Sequence, residues 1–193
     1  EENKQFNFDG FLKESLSIDL LNYALPGAGE YGAMVEYLNS DSYAPEAPPK
    51  LILWELPANY TLADPLMYRQ LIPAIEGQCS EAETVLARRQ QRPGLKTAER
   101  VELLSNTGAG RRALAGYNGY LDIRIGDGNV KDFYIIVYYD NGTRDKVWIR
   151  REAIVSGGQY YLELSKASEF RNANLLSVFM EPTETLQTPT TLE

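Results

Sequence analysis

One octapeptide, RDKVWIRR, carries the side chains with the clearest binding chemistry in the chain. The side chains of a β-strand alternate between its two faces, so Val147 and Ile149 share one face. Lys146, Trp148 and Arg150 share the opposite face. An indole offers a flat apolar surface on which the C–H face of a sugar ring stacks, and the flanking cations bind carboxylates through charge-assisted hydrogen bonds. The pattern predicts a surface for an anionic polysaccharide.

Further basic residues extend this predicted surface if the loops that carry them converge on it: Arg111, Arg112, Lys131, Arg144 and Arg151. Tryptophan is usually largely buried, so a second reading stays open, in which Trp148 is covered by a loop or packs on the first half of the chain. Nucleic acid is a rival ligand, because cations interleaved with aromatic rings also bind bases. The net charge of −8 argues against nucleic acid.

Two residue types restrict the chemistry that this chain can perform by itself. The sequence contains no histidine, which excludes a Ser-His-Asp or Cys-His catalytic group and a histidine-ligated metal site. Cys79 is the single cysteine, so no disulfide can form within the chain. The stretch PGAGEYG lacks the lysine and the Ser/Thr of a phosphate-binding loop, and we interpret it as a turn. We therefore expect neither a cofactor nor a metal.

The two halves of the 193-residue chain differ in charge. Residues 1–87 carry four cations against fourteen carboxylates, whereas residues 88–193 carry fifteen cations against thirteen carboxylates. This asymmetry suggests that the halves meet different partners. No run of about 18 apolar residues is present, so we expect no membrane insertion.

Residues 1–87 alternate between helix and strand patterns. FDGFLKESLSI and YGAMVEYLNSD have apolar residues at helical spacing, and a third helix is predicted to begin with Asp64 as N-cap and Pro65 at its first position. DLLNYAL predicts a short buried strand. KLILWELP predicts a strand covered on both faces, with Trp54 buried in it. This alternation predicts part of a parallel α/β sheet.

The second half has a different period. Residues 88–98 are charged and are predicted to form a linker. From 99 to 183 the apolar pattern has a period of two, with about six strands, and Asn141-Gly142 predicts a tight hairpin because both residues tolerate positive φ. The prediction is an all-β antiparallel sandwich. The polar tail, 184–193, is predicted to fray.

The first half also resembles a known family. Its stretches FDGFLKESLSIDLLNYALPGAGEYGAMVEYL and PPKLILWELPANYTL are similar to the later part of the SGNH-hydrolase-like domain of alginate O-acetyltransferases, the AlgX and AlgJ group. The strongest matches are Asn22-Tyr23-Ala24, the Gly27/Gly29 turn and Trp54-Glu55-Leu56-Pro57. The appended sandwich with its tryptophan-bearing cationic strand resembles the AlgX branch, which carries a C-terminal carbohydrate-binding module.

The resemblance implies a fold and a cellular context. Residues 1–87 would be part of an SGNH-hydrolase-like acetyltransferase domain, and residues 99–183 its carbohydrate-binding module. The parent protein would work in the periplasm, with other proteins of the alginate export complex as partners. It would transfer acetyl groups to mannuronate through a Ser-His-Asp triad that lies upstream of Glu1, so we expect this chain to be inactive alone. In the periplasm Cys79 would pair with a cysteine outside the chain.

The resemblance also implies binding roles. Lys146, Trp148 and Arg150 match, by type and strand face, the basic residues and tryptophan with which the module binds alginate, or polymannuronate. Arg112 and Arg144 match more loosely. Tyr60 would line the acetyl-transfer cleft.

Three hypotheses follow. The first is an alginate-binding module, the second an enzyme that is active only with its upstream half, and the third a structural scaffold whose tyrosine-rich face contacts other export proteins.

Overall fold

The computed structural model describes residues 8–25, 29–76, 89–92, 96, 98–125, 132–150, 159–164, 167–184 and 190–192. The helices in this part are α1 (Phe8–Leu16), α2 (Gly32–Leu38), α3 (Pro65–Glu76) and α4 (Ser168–Arg171). The strands are β1 (Arg89–Arg92), β2 (Val101–Ser105), β3 (Gly119–Ile125), β4 (Phe133–Tyr139), β5 (Arg144–Ile149), β6 (Gln159–Leu164), β7 (Leu175–Pro182) and β8 (Thr190–Leu192). Cys79, Lys131 and Arg151 lie outside the described residues.

The three helices of the first half form where the apolar spacing predicts them. Helix α2 buries Val35 and Leu38 on one face. Helix α3 begins as expected, with Pro65 in its first turn and the Asp64 carboxylate accepting a hydrogen bond of 2.9 Å from the Leu66 backbone N–H. None of the described helices is long and apolar enough to span a membrane.

The two strands predicted in the first half are absent. Residues 18–25 and 51–57 have an irregular backbone. In the second of these segments the Leu51 and Leu53 side chains are 73% and 63% exposed, and Trp54, expected to be buried, is 36% exposed. An apolar run forms a doubly covered strand only when neighbouring strands supply its hydrogen bonds, and no described strand pairs with this one.

The second half is an antiparallel β-sandwich, as its period-two pattern predicts. One sheet has the strand order β1-β8-β3-β6 and the other has the order β2-β7-β4-β5. The β4–β5 hairpin turns at Asn141-Gly142, and of these two only Gly142 has a positive φ, 83°. The Gly142 N–H donates to the Tyr139 carbonyl at 3.1 Å, which is typical of a type I turn followed by a left-handed glycine. The predicted hairpin is therefore present, with positive φ at Gly142 and not at Asn141.

Strands also occupy the segments predicted as linker and as frayed tail. Strand β1 lies within 88–98 and β8 lies within 184–193, and the two pair antiparallel at one side of the sandwich. These two strands were not predicted from the sequence. Their short polar sequences, RQQR and TTL, show no period-two pattern with an apolar face.

Helices α2 and α3 share one apolar core with the sandwich. Met67 and Leu71 of α3 belong to the same cluster of buried side chains as Tyr160 of β6 and Ile149 of β5. Helix α3 packs against β6, the last strand of its sheet. This packing places the helices beside the open edge of the sandwich at which β5 and β6 lie.

Candidate functional site

The predicted binding strand turns its aromatic and cationic side chains outward. Along β5, Val147 and Ile149 are buried in the core, whereas Trp148 is 47% exposed. Lys146 and Arg150 are exposed as well. The alternation expected from the sequence is therefore confirmed, and the reading in which Trp148 is covered is excluded.

Tyr134 of β4 completes the aromatic surface. It lies directly opposite Trp148 in the strand register, and the two rings stack with centroids 6.1 Å apart and an interplanar angle of 27°. The Lys146 ammonium lies 4.0 Å from the centre of the Tyr134 ring, and the Arg150 guanidinium carbon lies 5.8 Å from that of Trp148. Cations over ring faces are attracted by the ring quadrupole, so both charges are held beside the aromatic plates.

A packed layer lies beneath these side chains. Ile136 follows Tyr134 on the same face of β4, opposite Lys146, yet its exposed fraction is 0%. Beside it, Phe179 of β7 contacts Tyr138 of β4 edge-to-face, with ring centroids 5.8 Å apart. The side chains above Ile136 are thus supported by close packing. We call this surface of β4, β5 and β7 the outward face.

Glu181 is the carboxylate of the outward face. It accepts hydrogen bonds of 2.9 and 3.2 Å from the Arg100 guanidinium and lies 3.4 Å from the Lys146 ammonium. The hydrogen bond from Arg100, with a further contribution from the charge of Lys146, holds the pKa of Glu181 below its usual value. The sheet therefore positions two cations so that a carboxylate fits between them.

The other predicted arginines divide between two places. Arg144 is exposed on β5, opposite Tyr138 and two residues before Lys146, so it continues the same outward row. Arg111 forms an ion pair with Asp140 at the hairpin tip, and Arg112 is exposed in the same loop. The tip lies about 17 Å along β4 from Tyr134, given about 3.3 Å per strand residue. Arg111 and Arg112 are thus separate from the aromatic pair.

Three side chains fix the loop that carries Arg111 and Arg112. The buried Asn106 accepts a hydrogen bond of 2.8 Å from the Arg112 backbone N–H, and Asn174 accepts two from Leu114 and Ala115 at 2.8 and 3.0 Å. Asp140 accepts two from Asn174, both 2.8 Å long. These hydrogen bonds from Asn174, followed by that from Arg111, lower the pKa of Asp140.

Tyr60 is not brought to the outward face by any contact among the described residues. It is half-buried in the helical region, where its backbone N–H donates to the Pro57 carbonyl at 3.0 Å. In the described part of the chain, no group of three or more Cys, Asp or Glu side chains is arranged to hold a metal ion.

The sequence reasoning missed Arg100 and Glu181. They are 81 residues apart in the chain and meet because β2, which begins directly after Arg100, pairs with β7. A period-two pattern assigns a residue to a face but does not give its neighbour across the sheet. The Tyr134 position in a strand was apparent, but its pairing with Trp148 depends on the hairpin register.

Comparisons with known proteins match the two halves of the chain to different family models. Residues 78–193 match the model of a C-terminal carbohydrate-binding module. Residues 1–58 match the model described as SGNH hydrolase-like domain, acetyltransferase AlgX. The chain belongs to the AlgX family. The match covers both halves, which confirms the predicted fold class, a partial SGNH-hydrolase-like region followed by an antiparallel sandwich.

Individual relatives give the same result. The alginate biosynthesis protein AlgX of Pseudomonas fluorescens is 32% identical over 183 residues, which are 94% of this chain and 36% of that protein. A solved structure of Pseudomonas aeruginosa AlgX matches 98% of this chain and 45% of its own, with a TM-score of 0.79 and 27% identity. The probable alginate O-acetylase AlgJ of the same species is 43% identical over only 58 residues. The chain thus spans little more than a third of the length of the AlgX relative.

Proposed function

We propose that the outward face binds alginate, as the carbohydrate-binding part of an alginate O-acetylation and export system. The observation that carries this proposal is the exposed Trp148 stacked on Tyr134, with cations on the same row of β5. Membership of the AlgX family supports the polysaccharide as the ligand class. We further propose that the protein acts in the periplasm. Acetyl transfer through a Ser-His-Asp triad would need residues that this sequence does not contain.

The spacing of the cations suits a regular polyanion. Outward side chains on β5 recur every second residue, about 7 Å apart, in the order Arg144, Lys146, Trp148. Polymannuronate bears one carboxylate per sugar, so a polymer lying along the strand brings several carboxylates past this row. A polymer that crosses the sheet instead meets Glu181, a carboxylate that already occupies the space between Arg100 and Lys146. We therefore place the polymer along β5.

Weak individual contacts make the proposed binding depend on ligand length. Exposed ion pairs contribute about 0–1 kcal/mol each, so affinity arises from several contacts along one polymer. Longer mannuronate oligomers should therefore bind more tightly than single sugars. Because the cations are exposed, binding should weaken at high salt.

The test is a calorimetric titration with mannuronate oligomers of graded length. Trp148→Ala removes the stacking surface and should lower the affinity for long oligomers about tenfold or more, as expected for an aromatic residue at the centre of a binding site. Trp54→Phe is the matched control, because Trp54 belongs to the helical region, and it should bind as the wild type does. A folded Trp148→Ala protein with unchanged affinity would contradict the proposal, as would equal binding of short and long oligomers.

A scaffold role is the second candidate, and exposed apolar side chains of the helical region favour it. Phe11 is 64% exposed, Leu21 61% and Leu51 73%. Where such side chains form one contiguous patch, the patch marks contact with other protein. Capture of alginate export proteins that persists in Lys146→Gln/Arg150→Gln would support this role, and its loss in that variant would count against a scaffold surface separate from the outward face.

A further inference from the structure

We infer that Arg69 is a positioning residue for the ligand-binding strand. From helix α3 it holds β5 in the place where its outward side chains form the binding row. The inference rests on the proposed function, because it concerns the geometry of the same face. It adds a residue of the helical region that acts on the sandwich through Asp145.

The strand that needs positioning is an edge strand. β5 ends the sheet order β2-β7-β4-β5, and β6 ends the order β1-β8-β3-β6. In the described part of the chain, β5 therefore pairs with β4 alone. An edge strand with one neighbour has fewer backbone hydrogen bonds that fix its path than a central strand has.

Arg69 connects the two edges. Its Nη2 atom lies 2.7 Å from the Asp145 Oδ2 atom on β5, and its Nε–H donates to the Glu163 carbonyl of β6 at 2.9 Å. The planar guanidinium directs its N–H groups at fixed angles, so one side chain sets the separation of both strands from α3. A lysine at this position lacks the fork needed to reach both acceptors with that geometry.

The ion pair is shielded from solvent. The Arg69 and Asp145 side chains are only 17% and 11% exposed. Leaving a largely buried carboxylate without its cation costs much free energy, so the ion pair persists and keeps its geometry. The same carboxylate belongs to the residue between Arg144 and Lys146, so any shift of the Asp145 backbone also moves these two outward side chains.

The contacts of Arg69 are not explained by a need to anchor α3. Helix α3 already buries Met67, Leu71 and Ala74 in the shared core, so the helix stays in place without the ion pair. In the described part of the chain, the buried side chains of β5 are Val147 and Ile149, which lie further along the strand than Asp145. Loss of Arg69 should therefore affect β5 before it affects the helix.

The experiment compares Arg69→Gln with Arg69→Lys, Arg171→Gln and the neutral pair Arg69→Gln/Asp145→Asn, each in the full chain carrying Trp54→Phe. In this background Trp148 is the single tryptophan, so circular dichroism at near-ultraviolet wavelengths longer than those that tyrosine absorbs reports the ring environment on β5. Amide hydrogen exchange is followed by strand without ligand, and affinity is measured with a long mannuronate oligomer. Arg171 is an exposed arginine on α4 and serves as the charge-matched control.

Arg69→Gln should increase amide hydrogen exchange more in residues 144–149 than in residues 101–105. It should also change the circular dichroism signal of Trp148 and weaken oligomer binding about three- to tenfold. Arg69→Lys should restore these properties only in part, and Arg171→Gln should leave all three as in the reference. If Arg69→Gln does not fold, the neutral pair and Arg69→Lys test the same expectation. Unchanged β5 exchange, or a uniform rise in every strand, would overturn the inference. Failure of the proposed function is recognised separately, by Trp148→Ala that binds normally while the exchange pattern of Arg69→Gln still changes.

Discussion

At the level of single residues, the proposed site depends on an aromatic pair rather than on one exposed tryptophan. The Trp148 ring rests against Tyr134, and the Lys146 ammonium lies over the same tyrosine. An exposed indole without a neighbour samples several rotamers, and ordering it on ligand binding costs free energy. The stacked arrangement reduces this cost because the ring is already held in one orientation.

Tyr134 is therefore expected to contribute to affinity without being the main stacking plate. Tyr134→Ala removes both the support of Trp148 and the ring beneath Lys146, and should weaken oligomer binding about three- to tenfold, or about 0.7–1.4 kcal/mol. Tyr134→Phe keeps the ring and should bind nearly as the wild type does. Calorimetric titration with one mannuronate oligomer measures both. Equal losses in the two variants would assign the effect to the hydroxyl and would refute the role of the ring.

At the level of elements, prediction from the sequence succeeds where a pattern is local and fails where partners are distant. The period-two alternation of β4 and β5 sets which side chains face outward, and Asp64-Pro65 sets the start of α3. The run around Leu51 has strand-forming residues but no described neighbour strand, so its pattern misleads. Arg100 reaches the outward face through pairing across β7, which no local pattern encodes. The candidate site is thus predicted in its β5 row and missed in its cross-strand partners.

The hairpin tip illustrates an element fixed by a polar network, and it yields a prediction on pH. The hydrogen bonds from Asn174, followed by that from Arg111, hold the pKa of Asp140 below its value in the unfolded chain, about 3.9. The ionised carboxylate therefore stabilises the fold above about pH 4, and this contribution is lost as pH falls through the lower pKa of the folded state.

Asp140→Asn should accordingly lower the melting temperature at pH 7, and the difference from the wild type should shrink as the pH is lowered from about 4 to 2. Thermal unfolding followed by far-ultraviolet circular dichroism across that range measures the difference. Glu169→Gln is a control, because Glu169 is exposed on α4, where its backbone carbonyl accepts the hydrogen bond from Asn141. A difference that stays constant or grows toward acid pH would rule out the assigned role of Asp140.

At the level of the whole molecule, helices α2 and α3 and the sandwich share one buried apolar cluster. The change of period at about residue 88 suggests a domain boundary. Across it, the buried side chains of Val35, Met67 and Leu71 belong to the same cluster as sandwich residues such as Tyr160. Arg69 adds a polar connection at the same junction. The boundary visible in the sequence therefore separates two patterns of secondary structure, not two cores.

Shortening one buried side chain of α3 tests whether α3 and the sandwich unfold together. Met67 is 1% exposed, and Met67→Ala should lower the free energy of unfolding by about 2–5 kcal/mol, because it leaves a cavity in the shared core. If the core is single, the variant unfolds in one transition, at a lower urea concentration than the wild type. The unfolding curves measured by tyrosine fluorescence and by far-ultraviolet circular dichroism then coincide. Leu62→Ala, at a site 52% exposed, should change stability by less than about 0.5 kcal/mol. Two separate transitions, with the sandwich unfolding at the wild-type urea concentration, would show that α3 and the sandwich unfold independently.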